Sequence, residues 1–288
     1  MVMRKTILVT GANGQLGNEL QKLSIAFPFY KFIFVAREEL DISNAEAVNN
    51  FFHSSSISYC INCAAYTAVD RAETETEQAF AINAKAPGIL ANVCKQSNAG
   101  FIHISTDYVF DGAANEPYNE ESKTNPTSAY GKSKLEGEQQ ALESNPETII
   151  IRTAWVYSEF GKNFVKTMLR LMKEKQEIGV VNDQLGSPTY AADIAEAIMA
   201  IIHSGDWHPG IYHFTNQGII SWFDFANVIR KITGSYCKVN PITTSQYPTP
   251  AKRPAYSALD SSKISGIYNI NLQPWQSRLE VCLGRILQ

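Results

Sequence analysis

Residues 5–17 read KTILVTGANGQLG, and this stretch decides the fold. A short apolar run ends directly in glycine, and the residues after Gly14 have helical spacing. Gly11, Gly14 and Gly17 lie at this junction in the spacing GxxGxxG. Glycine permits a tight turn and a close approach of the backbone to a pyrophosphate, whose charge the N-terminus of a helix attracts. The stretch therefore predicts a strand, a phosphate-binding turn and a helix, as at the start of a dinucleotide-binding domain.

The first half of the chain continues this alternation of apolar runs and helical patterns. Amphipathic segments separate four further strand-like runs, which read KFIFVA, ISYCINCAA, GFIHIST and ETIIIRTAW. Strands that are apolar on both faces and alternate with helices indicate a parallel sheet that is covered on both sides. The sequence predicts the α/β class, with a Rossmann-type doubly wound parallel sheet and a smaller, mostly C-terminal α/β substrate-binding cap.

The domain boundaries follow from where this alternation stops. After Trp155 the elements become shorter and Gly/Pro turns separate them, without a long linker. We predict an NAD(P)-binding domain over residues 1–155, to which residues 178–204 return. The substrate-binding domain then comprises residues 156–177 and 205–288. Ser43 and Ser221 precede helical patterns and are predicted as N-caps.

Composition excludes several classes of function. The 25 basic and 28 acidic residues give a net charge of −3, which offers no electrostatic attraction to nucleic acid. The N-terminal apolar run is too short for a signal peptide, and no later run could span a membrane, so we expect a cytoplasmic protein. Cys60 and Cys63 form a CxxC inside an apolar strand-like run without a second ligand pair, which predicts buried, reduced thiols rather than a zinc site.

The end of the second strand bears on the choice of cofactor. An acidic residue there would bind the ribose 2′-hydroxyl and repel a 2′-phosphate, but this chain has Arg37. A guanidinium can bind a phosphate through two parallel hydrogen bonds, which favours NADPH without excluding NADH. The alternative is a solvated Arg37 that faces Glu38 or Glu39. Asp41 and Ile42 follow and are predicted to border the adenine.

Tyr130 and Lys134 form the candidate catalytic pair. They are four residues apart and therefore share one face of a predicted helix. A nearby ammonium stabilises a phenolate, so we expect Lys134 to lower the pKa of Tyr130 and to make proton exchange accessible near neutral pH. Thr106 ends the fourth strand, where a hydroxyl can bind a carbonyl that gains charge. In the alternative interpretation, Thr106 caps a turn and Asp107 forms an Asx-turn.

Several motifs in order resemble the dTDP-4-dehydrorhamnose reductases, a family of extended short-chain dehydrogenases/reductases. The resemblance is specific as far as about residue 202 and then rests on RP at 253–254 and SAL at 257–259. It implies NADPH-dependent reduction of the C4 ketone of dTDP-4-dehydro-L-rhamnose to dTDP-L-rhamnose, a precursor of polysaccharides. The motifs are GANGQLG, NCAAYTAVDRAE, STDYVFDG, YGKSK, RTAWVYSEFGKNF and NDQLGSPTYAADIA.

The resemblance also implies roles for individual residues. Tyr130 would donate the proton, Lys134 would bind the nicotinamide ribose and Thr106 would hold the carbonyl oxygen. The residues expected at the cofactor, besides Arg37, Asp41 and Ile42, are Gly11, Asn13, Gly14, Gln15, Leu16, Gly17, Ala64, Ala65, Tyr66, Tyr130 and Lys134, with Asn83 nearby. Those expected around the substrate are Val69, Asp107, Tyr108, Trp155, Asn163, Gly186, Ser187, Pro188, Thr189 and Arg253. For Trp155 core packing is the alternative, and for residues 188–189 an ordinary loop.

Some members of the family are dimers with Mg²⁺ held by glutamates at the interface. Glu19 matches one such ligand, but the residues after Pro188 read TYAAD and provide no partner glutamate. We therefore predict that Glu19 is a solvated charge and assign no metal site. The partner that remains is a nucleotide sugar, and both a monomer and a homodimer stay open.

Two other kinds of protein have some of these motifs or the same fold. Nucleotide-sugar epimerases and dehydratases have the glycine turn and the Tyr/Lys pair but retain NAD, and dehydratases need an additional acid beside the hydroxyl, where this chain has Asp107. A non-catalytic regulatory subunit of the methionine adenosyltransferase type has the same fold. The intact set of Thr106, Tyr130 and Lys134 argues against a non-catalytic role.

Overall fold

The structure, a computed structural model, describes residues 4–288. The described residues form twelve β-strands and ten α-helices. The strands are β1 (Lys5–Thr10), β2 (Tyr30–Val35), β3 (Ile57–Asn62), β4 (Gly100–Thr106), β5 (Ile149–Thr153), β6 (Val156–Tyr157), β7 (Glu177–Val181), β8 (Leu185–Gly186), β9 (Thr189–Tyr190), β10 (Gly210–His213), β11 (Ile220–Ser221) and β12 (Lys238–Ile242). The helices are α1 (Gln15–Ser24), α2 (Ala45–Ser54), α3 (Thr76–Phe80), α4 (Ala86–Gln96), α5 (Ala129–Ser144), α6 (Phe164–Glu174), α7 (Ala191–Ser204), α8 (Trp222–Thr233), α9 (Ser262–Tyr268) and α10 (Trp275–Ile286).

Six strands form one parallel sheet in the order β10-β5-β4-β3-β1-β2. The six-stranded Rossmann order is 3-2-1-4-5-6. Here β2 corresponds to its strand 2 and is the edge of the sheet, so no strand corresponds to its strand 3, and β10 is an additional strand beside β5. The direction of winding reverses between β1 and β3, so the loops that leave the carboxyl ends of these strands diverge and open a crevice. The predicted α/β class and doubly wound sheet are confirmed.

Helices cover both faces of this sheet because successive strand residues point to opposite sides. Ile7 and Val9 of β1 pack in one core with Leu20 of α1 and Ile198 of α7. Leu8, between them, packs in a second core with residues of α2 and α4. The sheet is therefore a buried central layer, and its carboxyl edge is the part left open for a ligand.

A third apolar core lies in the cap. Strand β7 pairs with β12, and α6, α8 and α10 pack around this pair. We predicted that residues 178–204 return to the sheet domain; α7 does so by packing on α1, whereas β7 stays in the cap. Strand β10, predicted in the substrate domain, is instead the edge strand beside β5. A strand's partner depends on distant residues, which its own sequence does not specify.

The two predicted helix caps have different outcomes. Ser221 caps α8, and the Asp224 carboxylate in turn accepts a hydrogen bond from the Ser221 backbone, which forms a capping box. Helix α2 begins after Asn44 rather than the predicted Ser43. The Ser43 hydroxyl instead donates to Asp41 at 2.6 Å, so it is not available to cap the helix.

Three further features concern membrane spans, thiols and metal clusters. Within residues 4–288 no helix is both long enough and apolar enough to cross a bilayer. All five cysteines are free thiols; Cys60 is buried and Cys63 is half-buried. The described part of the chain contains no cluster of three or more His, Cys, Asp or Glu side chains that could hold a metal ion.

Candidate active site

The glycine turn lies at the reversal point of the sheet, between β1 and α1. Gly11 has φ +68°, a left-handed conformation that favours glycine, and a Cβ there would lie 2.6 Å from the backbone nitrogen of Ala64. The turns after β1 and β3 therefore touch through backbone atoms, and the backbone N–H groups at the start of α1 remain available. These features fit a pyrophosphate at this position.

Asn83 fixes the loop after β3 where the resemblance expects the cofactor. It lies in a π-helical turn between α3 and α4, where the wider turn leaves its side chain room to reach the loop. Its Oδ1 accepts from the Tyr66 backbone nitrogen at 2.8 Å, and its Nδ2 donates to the Tyr66 carbonyl and to the Ser133 hydroxyl. Asn83 thereby connects this loop to α5, which carries Tyr130 and Lys134.

The residues predicted at the adenine end have distinct environments. Arg37 is exposed. Asp41 accepts hydrogen bonds from both the backbone and the hydroxyl of Ser43, which lower the pKa of its carboxyl. The side chain of Ile42 is buried in the core beside α2. Of these three predicted residues, Arg37 and Asp41 therefore present polar groups near the surface.

Two elements bring the three catalytic candidates together. Thr106 ends β4, and Tyr130 and Lys134 lie on the first two turns of α5, which Ser128 caps. The Thr106 hydroxyl accepts from the Tyr108 backbone nitrogen, so it does cap the turn after β4, and its position beside the Tyr130 phenol lowers the pKa of that phenol. The capping and catalytic interpretations of Thr106 are thus compatible.

The pKa of Tyr130 departs from the expected direction. Burial raises the pKa of this phenol above its usual 10, and only the neighbouring Thr106 hydroxyl acts in the opposite direction. Burial also lowers the pKa of Lys134 to about 8. The lysine amine donates to the Ile104 carbonyl at 2.6 Å. In this structure Tyr130 is therefore a fully protonated phenol at neutral pH, which is the form that a proton donor needs.

Asp107 is a buried carboxyl directly beside this pair. Burial raises its pKa from 3.8 to about 6, although its Oδ1 accepts a hydrogen bond from the Thr106 hydroxyl at 2.9 Å. The negative charge of Asp107 in turn contributes to the raised pKa of Tyr130. Ionisation of Asp107 therefore disfavours loss of the tyrosine proton.

The raised pKa of Asp107 predicts a pH-dependent gain in stability for Asp107→Asn. The folded state binds this proton more tightly than the unfolded state, so the wild type loses stability as the pH rises from about 4 through the folded pKa of about 6. The asparagine variant does not titrate, so we expect its advantage in free energy of unfolding to grow by up to about 3 kcal/mol between pH 4 and 8. Urea unfolding across that range measures this difference.

Asp111→Asn is the matched control because hydrogen bonds lower the pKa of Asp111. It should lose stability relative to the wild type as the pH rises. A pH-independent difference for Asp107→Asn would contradict the raised pKa.

Tyr108 and Arg253 join the sheet domain to the C-terminal segment beside Tyr130. The rings of Tyr108 and Tyr130 meet edge to face at 5.5 Å, and Val69 packs in the same small cluster. Arg253 donates to the Tyr108 hydroxyl at 3.1 Å and to Asp70 at 2.6 Å. The structure therefore brings three of the predicted substrate residues, Val69, Tyr108 and Arg253, next to the catalytic candidates.

Trp155 has a strained backbone and an aromatic partner that the sequence did not reveal. Its φ is +49°, which is unusual for a residue with a large side chain. Its ring stacks on Trp222 of α8 at 3.5 Å, and a Cβ at Gly186 would lie 2.6 Å from the Trp155 ring. Gly186 thus leaves room for the indole, which connects the end of the sheet domain to the cap.

The other residues predicted around the nucleotide form the framework of the cap. Asn163 caps α6 and donates to Gln15 of the glycine turn at 2.9 Å. Ser187 and Thr189 are buried, and the backbone nitrogen of Thr189 donates to the Trp155 carbonyl. Pro188 lies between them in the turn. These contacts position the two domains, and Asn163 directly links the glycine turn to the cap.

A cavity of about 630 Å³ lies in the cap and borders the sheet domain at Asp70 and Tyr108. Tyr108 and Arg253, both predicted at the substrate, are among its lining residues. Phe164, Trp222 and Tyr247 of the cap also line it, and sequence reasoning missed all three. No fixed spacing relates these aromatic residues to the catalytic motif. Their one sequence signal is that Phe164 and Trp222 each begin a helix.

Glu19 is buried, with 2% of its surface exposed, so the prediction of a solvated charge is wrong. Its carboxylate accepts from the Ser158 hydroxyl at 2.7 Å, and burial raises its pKa. The reason is that α1 packs against the loop after β6, which the helix sequence alone does not indicate. Glu19 is therefore part of the contact between the sheet domain and the cap.

The parallel sheet, the glycine turn and the adjacent Thr106, Tyr130 and Lys134 define an oxidoreductase of the short-chain dehydrogenase/reductase class. Residues 3–287 match the family described as RmlD substrate binding domain. The chain is 43% identical over 284 residues to a dTDP-4-dehydrorhamnose reductase of Aggregatibacter actinomycetemcomitans. The aligned region covers 95% of this chain and 97% of the relative. It therefore belongs to the family of dTDP-4-dehydrorhamnose reductases, as the motifs predicted.

Solved structures agree with this assignment. A dTDP-4-dehydrorhamnose reductase from Clostridium acetobutylicum has a TM-score of 0.94 and 43% identity, and covers 98% of this chain and 100% of its own. The enzyme of the same name from Bacillus anthracis, in complex with NADP, has a TM-score of 0.94 and 38% identity, with the same coverage. The predicted fold and enzyme class are confirmed.

Proposed function

We propose that this chain reduces the C4 ketone of dTDP-4-dehydro-L-rhamnose to dTDP-L-rhamnose with NADPH, in the cytoplasm. The observation that carries the proposal is the position of Thr106 beside Tyr130 at the carboxyl edge of the sheet, next to Tyr108, which also lines the cavity of the cap. Family membership supports the substrate, and the NADP complex of the Bacillus anthracis relative supports the cofactor.

The roles of the residues follow from their positions. NADPH bound at the glycine turn would supply the hydride. Thr106 and Tyr130 present two hydroxyls to one carbonyl oxygen, which stabilises the charge that develops there. Tyr130 then donates its proton to the alkoxide, which is a stronger base than a phenolate even when burial raises the phenol's pKa. Lys134 lies one turn further along α5, where it can return a proton to Tyr130.

The proposal is tested by mixing the protein with NADPH and dTDP-4-dehydro-L-rhamnose and following the loss of reduced-cofactor absorbance. We expect stoichiometric formation of dTDP-L-rhamnose and release of the cofactor on dialysis. NAD that stays bound through gel filtration, with interconversion of sugar epimers and no net NADPH consumption, would favour the epimerase instead. A protein that consumes no NADPH with any keto-sugar nucleotide would indicate a non-catalytic role.

Arg37 is proposed to select NADPH through the 2′-phosphate. Its guanidinium is exposed at the end of β2, where it can approach that phosphate. A charge-assisted pair of hydrogen bonds contributes about 1.5–3 kcal/mol, so Arg37→Ala should weaken NADPH binding about tenfold to a hundredfold and leave NADH binding unchanged. Fluorescence titration with both cofactors measures this, and Arg170→Ala, a surface arginine of α6, is the control. An unchanged preference for NADPH would remove Arg37 from cofactor selection.

A further inference from the structure

A chain of polar side chains crosses the sheet beneath the active site. Thr10 and the backbone nitrogen of Ala64 both donate to Oδ1 of Asn62, at 2.7 and 3.2 Å. Nδ2 of Asn62 lies 3.0 Å from Nδ1 of His103, and Nε2 of His103 lies 3.3 Å from Nζ of Lys134. Asn62 and His103 are fully buried, so water cannot replace these contacts.

The contacts decide which nitrogen of His103 carries its proton. A backbone N–H can only donate, so the Ala64 contact requires the oxygen of Asn62 on that side and places the amide NH₂ toward His103. That NH₂ also only donates, so Nδ1 of His103 must accept and is unprotonated. Burial and the charge of Lys134 keep the pKa of His103 well below its usual value, so the ring is neutral. The single ring proton is therefore on Nε2, directed at the lysine nitrogen.

This orientation has a consequence for Lys134. A neutral amine has a lone pair that accepts the Nε2–H of His103, and it still donates to the Ile104 carbonyl. An ammonium has three donors and no acceptor, so charging Lys134 places an N–H against the N–H of His103. The contact with His103 therefore favours the neutral amine, in the same direction as burial.

The other charged and titratable groups around Lys134 act differently. Glu138, one turn further along α5, raises the pKa of Lys134, but Arg152 of β5 binds its carboxylate. Asp107 and Tyr108, in the turn that α5 packs against, act on Tyr130. Lys85 of the π-helical turn is exposed, and Glu73 of the turn at 71–73 accepts from the backbone nitrogen of Ala129. His103 is the group on β4 that faces the lysine.

We infer that His103 is a positioning residue that makes the Lys134 ammonium release a proton readily, because His103 directs its Nε2–H at the lysine nitrogen. The inference rests on the proposed reduction, in which the Tyr130 phenolate must regain a proton after each turnover. In that step an N–H bond of the Lys134 ammonium breaks and the O–H bond of Tyr130 forms, directly or through a hydroxyl between them. The neutral amine that remains, stabilised by His103, then takes a proton from solvent.

The wild-type protein provides the first test, which requires no variant. Nitrogen NMR of the histidine-labelled protein distinguishes a protonated from an unprotonated ring nitrogen, and we expect His103 to be protonated on Nε2. His213, also buried, is an internal reference, because its Nδ1 lies 3.0 Å from the Tyr118 carbonyl and must be protonated. Protonation of His103 on Nδ1 would overturn the inference.

Asn62→Asp tests the link to Lys134. The new carboxylate oxygen accepts from the ring, so the proton of His103 should move to Nδ1 and Nε2 should accept from Lys134. The pKa of Lys134 should then rise, and the alkaline limb of kcat/KM, expected near pH 8 in the wild type, should move up by about one unit or more. NMR of the Lys134 side chain measures the same shift without substrate. If neither the alkaline limb of kcat/KM nor the pKa of Lys134 shifts in Asn62→Asp, the inference is overturned.

The negative charge that Asn62→Asp introduces would also raise the lysine pKa, so a second background separates the two effects. The same substitution in His103→Leu keeps the charge and removes the ring; an equally large shift there would attribute the effect to charge alone and overturn the inference. A failure of the proposed function would give a different set of results from a failure of this inference. A protein without keto-sugar turnover, but with the expected tautomer and lysine shift, would support the link between His103 and Lys134 and refute only the substrate.

Discussion

Tyr130→Phe should lower kcat about a thousandfold or more while leaving NADPH affinity nearly unchanged. The substitution removes the hydroxyl beside Thr106 and retains the ring that packs against Tyr108. Loss of a positioned general acid costs about 10²–10⁴ in rate, and here one of two donors to the developing alkoxide is lost as well. Steady-state kinetics with dTDP-4-dehydro-L-rhamnose and fluorescence titration with NADPH measure the two quantities.

Tyr212→Phe is the matched control for Tyr130→Phe. Tyr212 is also a buried tyrosine, but its hydroxyl donates to the His208 carbonyl, at the opposite, amino edge of the sheet. Its loss should affect stability by about 1 kcal/mol and leave kcat unchanged. If Tyr130→Phe kept more than about a tenth of wild-type kcat, Tyr130 would not be the proton donor.

Local sequence signals predicted the elements of this fold better than their partners. The apolar runs and the glycine junction predicted the parallel sheet and the tight turn between β1 and α1, because burial on both faces and a tight turn each require particular residue types within a short stretch. The strand at Gly210–His213 was recognised, but not its place beside β5. Pairing is decided by residues far away along the chain, which no short pattern encodes.

In the candidate site, too, the sequence predicted the residues that belong to local motifs and missed those placed by distant contacts. Thr106, Tyr130 and Lys134 follow from spacing and from their place after strands, and the structure brings them together. Trp222 and the cap aromatics carry no motif, since any apolar residue at the start of a cap helix has the same pattern. His103 lies in an apolar strand and resembles an ordinary core histidine. Its relation to Lys134 depends on the register between β3, β4 and α5, which appears only in three dimensions.

The direction of the Tyr130 pKa was predicted wrongly for the same kind of reason. A phenol and an ammonium four residues apart suggested mutual stabilisation. The structure buries both groups and directs the amine to Ile104 and His103. Desolvation then dominates for the phenol, and the tyrosine is held as a proton donor. Spacing on a helix predicts proximity, but burial determines the electrostatic outcome.

The largest expected effect on stability concerns the ion pair that anchors α5 to the sheet. Arg152 of β5 donates from Nε and from a terminal nitrogen to the two carboxylate oxygens of Glu138, at 2.9 and 2.6 Å. Both side chains are no more than 3% exposed. Removal of one partner leaves an uncompensated buried charge, so Arg152→Met should lower the free energy of unfolding by about 3–5 kcal/mol. Urea denaturation measures this loss.

The double variant Arg152→Met with Glu138→Leu shows whether the loss comes from the stranded carboxylate. Two apolar side chains of similar volume leave no buried charge, so the double variant should recover most of the loss and unfold within about 1–2 kcal/mol of the wild type. Arg170→Met, which breaks an exposed pair with Glu174, should change stability by less than about 1 kcal/mol. Additive losses in the double variant would mean that packing, rather than charge, holds the catalytic helix on β5.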